Sequence, residues 1–212
     1  MIKKQDKKPH YWQKAENHLQ SNDPVLSKLI RKHKSKSHLV SKNSIFITLT
    51  KIIIGQQISI QVANSIESKI KKLLGSINPK KILATPDQHM RNCGLSFRKV
   101  SYIKGVAEII KSEPNFFSNL ETLDDRDAIK ELLKLYGIGL WSAEMFLIFH
   151  FNRPNILPLG DIGLINSYCK NYKIKRDVFI KKISKTRKLW DPYCTVATWY
   201  LWRDIDEDVV QY

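Results

Sequence analysis

Apolar residues recur along this chain at the three- and four-residue spacing of amphipathic helices, and no alternating run lasts longer than a few positions, as a strand would need. Tyr11, Trp12, Ala15 and Leu19 place a helix over 10–20. Asp23 before Pro24 starts a second, because proline is tolerated in a first helical turn. The basic, polar stretch RKHKSKSHLVSKNS (31–44) reads as a connector. A long apolar helix follows from Ile45 to about Ile54, and beyond GQQIS (55–59) the positions Val62, Ala63, Ile66 and Ile70 continue a helical stripe. Asn78-Pro79 and Thr85-Pro86-Asp87 mark helix breaks or starts. Gly94-Leu95-Ser96 precedes a helix from Phe97 to Ile110, with Val100, Ile103, Val106 and Ile110 on its apolar face. Leu123-Asp124-Asp125 has the character of an N-cap ahead of a helix over 128–135. After a loop spanning Pro154–Pro158, helices are expected over 162–171, 177–187 and 192–203. The pattern predicts an all-α fold of roughly ten short helices, without repeats or low-complexity segments.

The most informative stretch runs from Leu135 to Asp161. A Gly137-Ile138-Gly139 turn opens a strongly apolar helix, and a proline-rich loop then delivers a single carboxylate, Asp161, 22 residues after Gly139. Unpaired backbone N–H groups at a helix start can hold a phosphate, and glycines let the backbone approach it closely. A lone carboxylate beyond such a turn is a candidate for chemistry, although an aspartate before a helix is also a common N-cap.

Composition narrows the choice of phosphate. The 212 residues carry 36 Lys and Arg against 20 Asp and Glu, a formal charge of +16, which favours polyanionic partners and salt-sensitive binding. Hydrophobic residues make up 42% of the chain, which excludes disorder throughout. Cys93, Cys169 and Cys194 are far apart and form no CxxC pair, against a zinc or iron–sulfur site and in keeping with a reducing compartment. The N-terminal MIKKQDKKPH lacks an apolar core behind its charges, and no apolar run approaches a membrane span. These features predict an intracellular protein, cytoplasmic and nucleoid-associated if bacterial, with residues 1–8 as a basic flexible tail.

Six segments, taken in order, resemble the helix-hairpin-helix (HhH-GPD) DNA glycosylases: DPVLSKLI (23–30), IIIGQQIS (52–59), GLSFRKVSYI (94–103), GIGLWSAEM (137–145), LPLGDIGL (157–164) and WDPYCTVATWYLWR (190–203). Within that family the chain looks most like the DNA-3-methyladenine glycosylase II branch. The resemblance implies a single glycosylase domain over 9–212, with two helical lobes and an active-site cleft between them. The middle lobe would span about 45–135, the hairpin about 128–148, and the N-terminal helices would join 145–212 in the other lobe. With only 22 residues ahead of Asp23, the β-rich domain that begins some relatives is not expected.

Residue by residue, the resemblance makes Asp161 the catalytic aspartate, stabilising the oxocarbenium character that develops on the sugar as the base departs. Gly137, Ile138 and Gly139 would bind the DNA backbone. The backbone carbonyls of Leu133, Leu135 and Ile138 would hold a structural Na+ or K+, no other cofactor being required and no iron–sulfur cluster being present. Tyr136 replaces a proline often found in the turn. Trp141 stands where strand-nicking members carry a Schiff-base lysine, which implies monofunctional hydrolysis. Trp141, Met145 and Trp190 would line the base pocket, where an aromatic face attracts a cationic methylated purine. Gln57 would fill the gap left by the flipped base, with Gln56 structural. Cys194 stands where relatives often carry arginine, removing a charge and with it an ion pair. Trp199, Tyr200 and Trp202 read as helix packing, and Lys99 and Lys104 as solvated or phosphate-contacting charges.

The expected function is therefore base excision repair of alkylated purines in duplex DNA by a monomeric enzyme, with no membrane partner. The alternatives are a glycosylase for oxidised or deaminated bases, or a helix-hairpin-helix module that binds DNA without catalysis.

Overall fold

The computed structural model describes residues 8–33, 38–41 and 43–205. The basic tail predicted for residues 1–8 lies outside them but for Lys8, whose ammonium sits 3.4 Å from the Glu16 carboxylate. Among the described residues there are thirteen α-helices, one 3-10 turn and no strand, so the fold is all-α as the periodicity predicts. In order they are α1 Trp12–Asn22, α2 Pro24–His33, α3 Ile45–Gly55, α4 Ile60–Leu74, α5 Pro79–Ala84, α6 Asp87–Asn92 and α7 Phe97–Ser112. There follow α8 Phe116–Thr122, α9 Asp125–Leu132, α10 Leu140–Phe149, α11 Ile162–Asn171, a 3-10 turn at Arg176–Val178, α12 Phe179–Trp190 and α13 Cys194–Arg203. The count exceeds the predicted ten because the two proline breaks each start a short helix and because α8 carries no side-chain cap to announce it. None of these helices is long and apolar enough to cross a membrane.

Two compact units emerge, one within Met1–Ser41 and Asn152–Gln211 and the other within Lys42–Phe151. The dividing point is Phe151, not residue 145, because α10 belongs entirely to the second unit.

The first unit gathers α1, α2, α11, α12 and α13 around aromatic side chains. Trp12 meets Trp199 edge to face, with ring centroids 5.2 Å apart, and both are buried. Two buried carboxylates are satisfied inside this core. Glu16 accepts the Trp12 indole N–H at 3.0 Å and the Tyr200 hydroxyl at 2.5 Å. Asp23 accepts the backbone N–H groups of Val25 and Leu26 through Oδ1, and the Trp190 indole and Tyr172 hydroxyl through Oδ2. Buried charge is tolerated only with such partners. Here the partners join helices far apart in sequence.

The second unit is built on α3, whose Phe46, Leu49, Ile52, Ile53 and Ile54 are buried and which packs against α4, α7 and α10. Helix α10 is buried from Ser142 to Phe149, the expected fate of a helix apolar on every side. Ser44, Ser59, Asn78, Ser96 and Asp124 each accept a backbone N–H through the side chain at the start of α3, α4, α5, α7 and α9. These caps supply partners for otherwise orphaned first-turn donors.

Candidate functional site

Asp161 caps α11. Its Oδ1 accepts the Leu164 N–H at 2.7 Å and the indole N–H of Trp202, on α13, at 2.8 Å. The capping role is compatible with the catalytic role expected of this half-buried side chain, because the cap fixes the carboxylate's rotamer. Gly163 makes room for this arrangement. A Cβ there would lie 3.1 Å from Asp161 Oδ1 and 3.2 Å from Trp202 Cδ1, tighter than ordinary contact. Trp202, assigned from the sequence to packing, thus touches the candidate catalytic group. The signal for it was Gly163 itself, two residues past the aspartate, where the backbone needs a close neighbour to explain a missing side chain.

The hairpin consists of α9, a turn over 133–139 and α10. The first helix ends at Leu132, three residues before the predicted end, and the turn is closed by Lys134 N–H to Glu131, Leu135 N–H to Leu132 and Ile138 N–H to Leu135. Gly137 adopts φ +86°, in the left-handed region, and the Tyr102 ring of α7 lies directly against it. Gly139 is the N-cap of α10 in extended conformation and is exposed, as are Tyr136 and Leu140. The first N–H groups of α10 have no carbonyl ahead of them within the helix and carry the partial positive end of its dipole. A helix start of this kind has donors available to an anion. Ile138 is buried and anchors the turn from below. Of the carbonyls assigned to a cation, that of Leu135 accepts the Ile138 N–H at 3.0 Å, which leaves its second acceptor site for an ion.

Gln57 lies in the same unit, exposed, just past the end of α3, with φ +57°. Its neighbour Gln56 points the other way. The Gln56 amide donates to the Gly137 carbonyl at 2.9 Å and to Ser142 Oγ at 3.0 Å. Lys99 Nζ donates to the carbonyls of Ile54 at 2.7 Å and Gln56 at 2.8 Å, and burial pulls its pKa below the ordinary lysine value. Lys104 bonds to the Thr85 carbonyl and to Asp87. Both lysines are engaged within the protein, a difference from the solvated or phosphate-contacting roles expected of them.

The three pocket candidates separate. Trp141 is half-buried in the first turn of α10. Met145, one turn on, is only 2% exposed and presents no open face. Trp190 is 0% exposed, with its indole bonded to Asp23 at 2.8 Å. It belongs to the core of its unit and does not line a pocket. The reason is the buried Asp23 carboxylate, which needs this donor. Cys194 is likewise buried, and burial pushes its thiol up to about 12. Its N–H meets Asn155, whose amide in turn reaches Asp191, so a hydrogen-bonded chain occupies the region where an arginine was expected. No cluster of His, Cys, Asp and Glu suited to a metal occurs among the described residues.

These features agree with what the chain is similar to. The DNA-3-methyladenine glycosylase 1 of Schizosaccharomyces pombe is 28% identical over 196 residues, covering 90% of this chain and 86% of the relative. The solved structure of the S. pombe 3-methyladenine DNA glycosylase in complex with abasic DNA superposes with a TM-score of 0.74 at 27% identity, covering 90% of this chain and 95% of that one. A DNA-3-methyladenine glycosidase from Bacillus halodurans gives a TM-score of 0.71 at 30% identity, covering 89% and 88%. The family model described as HhH-GPD superfamily base excision DNA repair protein matches residues 50–192, about two thirds of the sequence and including both the hairpin and Asp161. With the glycine turn, the capped aspartate and this match in hand, the chain belongs to the HhH-GPD superfamily of base excision DNA repair proteins.

Proposed function

We infer that this chain is a DNA-3-methyladenine glycosylase, which excises alkylated purines from duplex DNA by hydrolysing the N-glycosidic bond and leaves an abasic site. The observation that carries the reading is the Asp161 carboxylate, held in one orientation by Leu164 and Trp202 at the start of α11. Departure of a purine leaves positive charge on the deoxyribose, and a fixed carboxylate stabilises that charge without reorganising. The same group can orient the attacking water and take its proton. A purine methylated at N3 or N7 is already cationic, so it leaves without strong acid catalysis. Relatives that match over nine tenths of this chain carry the name DNA-3-methyladenine glycosylase.

The other roles follow from position. The N–H groups of Gly137, Gly139 and the start of α10 grip a backbone phosphate, and the carbonyls of Leu133, Leu135 and Ile138 would hold a monovalent cation that adds positive charge at the turn. Substituting tetramethylammonium for sodium or potassium at constant ionic strength tests that cation site, and unchanged duplex affinity would dismiss it. Gln57 enters the gap left by the flipped base. Trp141 supplies an aromatic face for the methylated purine and no amine for a Schiff base.

A time course on duplexes carrying 3-methyladenine, 7-methylguanine, 8-oxoguanine or hypoxanthine tests the whole reading, with and without alkali. Release of methylated purines with strand breakage only after alkali is the expected result. Preferential release of 8-oxoguanine, or breakage without alkali, would overturn it.

A further inference from the structure

We propose that Lys99 and Gln56 are positioning residues for base extrusion: together they set the Gln57 turn and lock it in register with the hairpin, so that phosphate grip and plug insertion act as one step. The inference rests on the reading of Gln57 as the plug.

Helix α3 ends at Gly55, and its last carbonyls lack helical donors, as at any helix end. Lys99 meets two carbonyls at this end, those of Ile54 and Gln56, one on either side of the point where the chain leaves the helix. A lysine that served only solubility would keep its ammonium in water, whereas this one is held half-buried against backbone oxygens. The very next residue, Gln57, is turned into the left-handed region, which a residue with a side chain adopts only when its surroundings impose it. The Lys99 clamp is the constraint on one side.

Gln56 is the constraint on the other. Both N–H groups of its amide are used, one on the carbonyl of Gly137 and one on Ser142 in the first turn of α10. These bonds span more than eighty residues of sequence and end on the backbone of the phosphate-gripping turn. Helix α7 reinforces the link from beneath. Lys99 and Tyr102 lie three residues apart and so share a face of α7. Lys99 supports the plug turn while the Tyr102 ring lies against Gly137 and meets Tyr136 edge to face at 4.9 Å. One helix face thus seats both elements, and a Gln56 amide joins them. Ordering the plug before DNA arrives removes an entropic cost from extrusion.

The test uses a duplex with 2-aminopurine next to a tetrahydrofuran abasic analogue, whose fluorescence rises when stacking is broken, beside single-turnover release of 7-methylguanine. Lys99→Met is expected to lower both the fluorescence rise and the rate by about tenfold. Affinity for undamaged duplex should fall only by what one lost charge explains, and Lys99→Arg should restore most of the loss. In a Gln57→Ala background Lys99→Met should cost nothing further, because there is no plug left to position. A merely structural lysine would cost the same in either background, and that result would overturn the proposal. So would wild-type extrusion by Lys99→Met. If Gln57→Ala itself extrudes like wild type, the plug reading fails and takes this inference with it. Should Lys99→Met not fold, Gln56→Leu leaves the lysine clamp intact and carries the same comparison, with the same expected loss.

Discussion

Replacing Gly137 by alanine tests how the hairpin turn is held. Two costs arise, and they come from different atoms. The backbone is at φ +86°, where a side chain strains the left-handed conformation by about 1–2 kcal/mol. The new Cβ would also sit 2.1 Å from Tyr102 Cγ and 2.4 Å from both Cδ atoms, so the ring must withdraw by more than an ångström. Tyr102 cannot do so freely, since its ring is half-buried and packed against Tyr136. Overpacking of this kind costs about 1–3 kcal/mol. The sum, about 2–5 kcal/mol, is a large share of an ordinary domain stability and corresponds to a fall in melting temperature of roughly 5–20 °C. Urea denaturation of wild type, Gly137→Ala, Tyr102→Ala and the double variant separates the two costs. Removing the ring should relieve the overlap and leave the backbone strain, so the pair should couple by about 1–3 kcal/mol, with the double variant more stable than additivity predicts. Additive effects, or a Gly137→Ala protein within about 0.5 kcal/mol of wild type, would refute this description of the turn.

Three further outcomes are expected. Trp202→Phe keeps an aromatic ring but removes the N–H that holds Asp161, and should slow single-turnover base release by about 10- to 100-fold with duplex affinity unchanged. A wild-type rate would show that the bond plays no part in the reaction. Trp190→Phe leaves the buried Asp23 carboxylate short of a donor and should cost about 1–3 kcal/mol of stability without changing the rate per folded molecule; a slower rate at unchanged stability would return Trp190 to the base pocket. Asp204 is held below the usual carboxylate range, because although burial pulls it upward, hydrogen bonds from Lys32, Asn171 and Lys170 more than offset that pull. A depressed folded-state pKa adds stability above the unfolded value of about 3.9 that is lost as pH falls below it. Urea midpoints measured downward from pH 5 should therefore fall more steeply for wild type than for Asp204→Asn, and parallel curves would contradict the assignment.

What could be read in the sequence was what local physics decides. The helix over 162–171 has the predicted bounds, because Asp161 caps it and an apolar stripe runs through it. Helix α7 starts at the predicted Phe97, where Ser96 caps it. The first hairpin helix is capped where expected, by Asp124 bonded to the Asp127 N–H, and therefore starts at Asp125 and ends at Leu132, three residues ahead of the predicted bounds at each end. Helix α13 begins at Cys194, not 192, since a proline and a turn closed by Tyr193 N–H to Trp190 intervene. What could not be read depends on partners remote in sequence. Residue type does not distinguish Trp190 from Trp202. A carboxylate 167 residues away puts the first in the core, and one 41 residues away puts the second at the candidate catalytic group. Lys99 gave no sign of its role either, because its acceptors are backbone carbonyls that leave no mark in composition.

The decisive comparison is single-turnover release of 3-methyladenine and 7-methylguanine from methylated duplex by wild type and Asp161→Asn. Asparagine keeps an oxygen in place for the Leu164 and Trp202 donors, so the fold and duplex binding should survive while the charge proposed to act on the sugar is lost. The rate should drop by at least about 100-fold, in line with removal of a preorganised electrostatic group. Release at the wild-type rate by a folded, DNA-binding Asp161→Asn protein would contradict the catalytic assignment of Asp161.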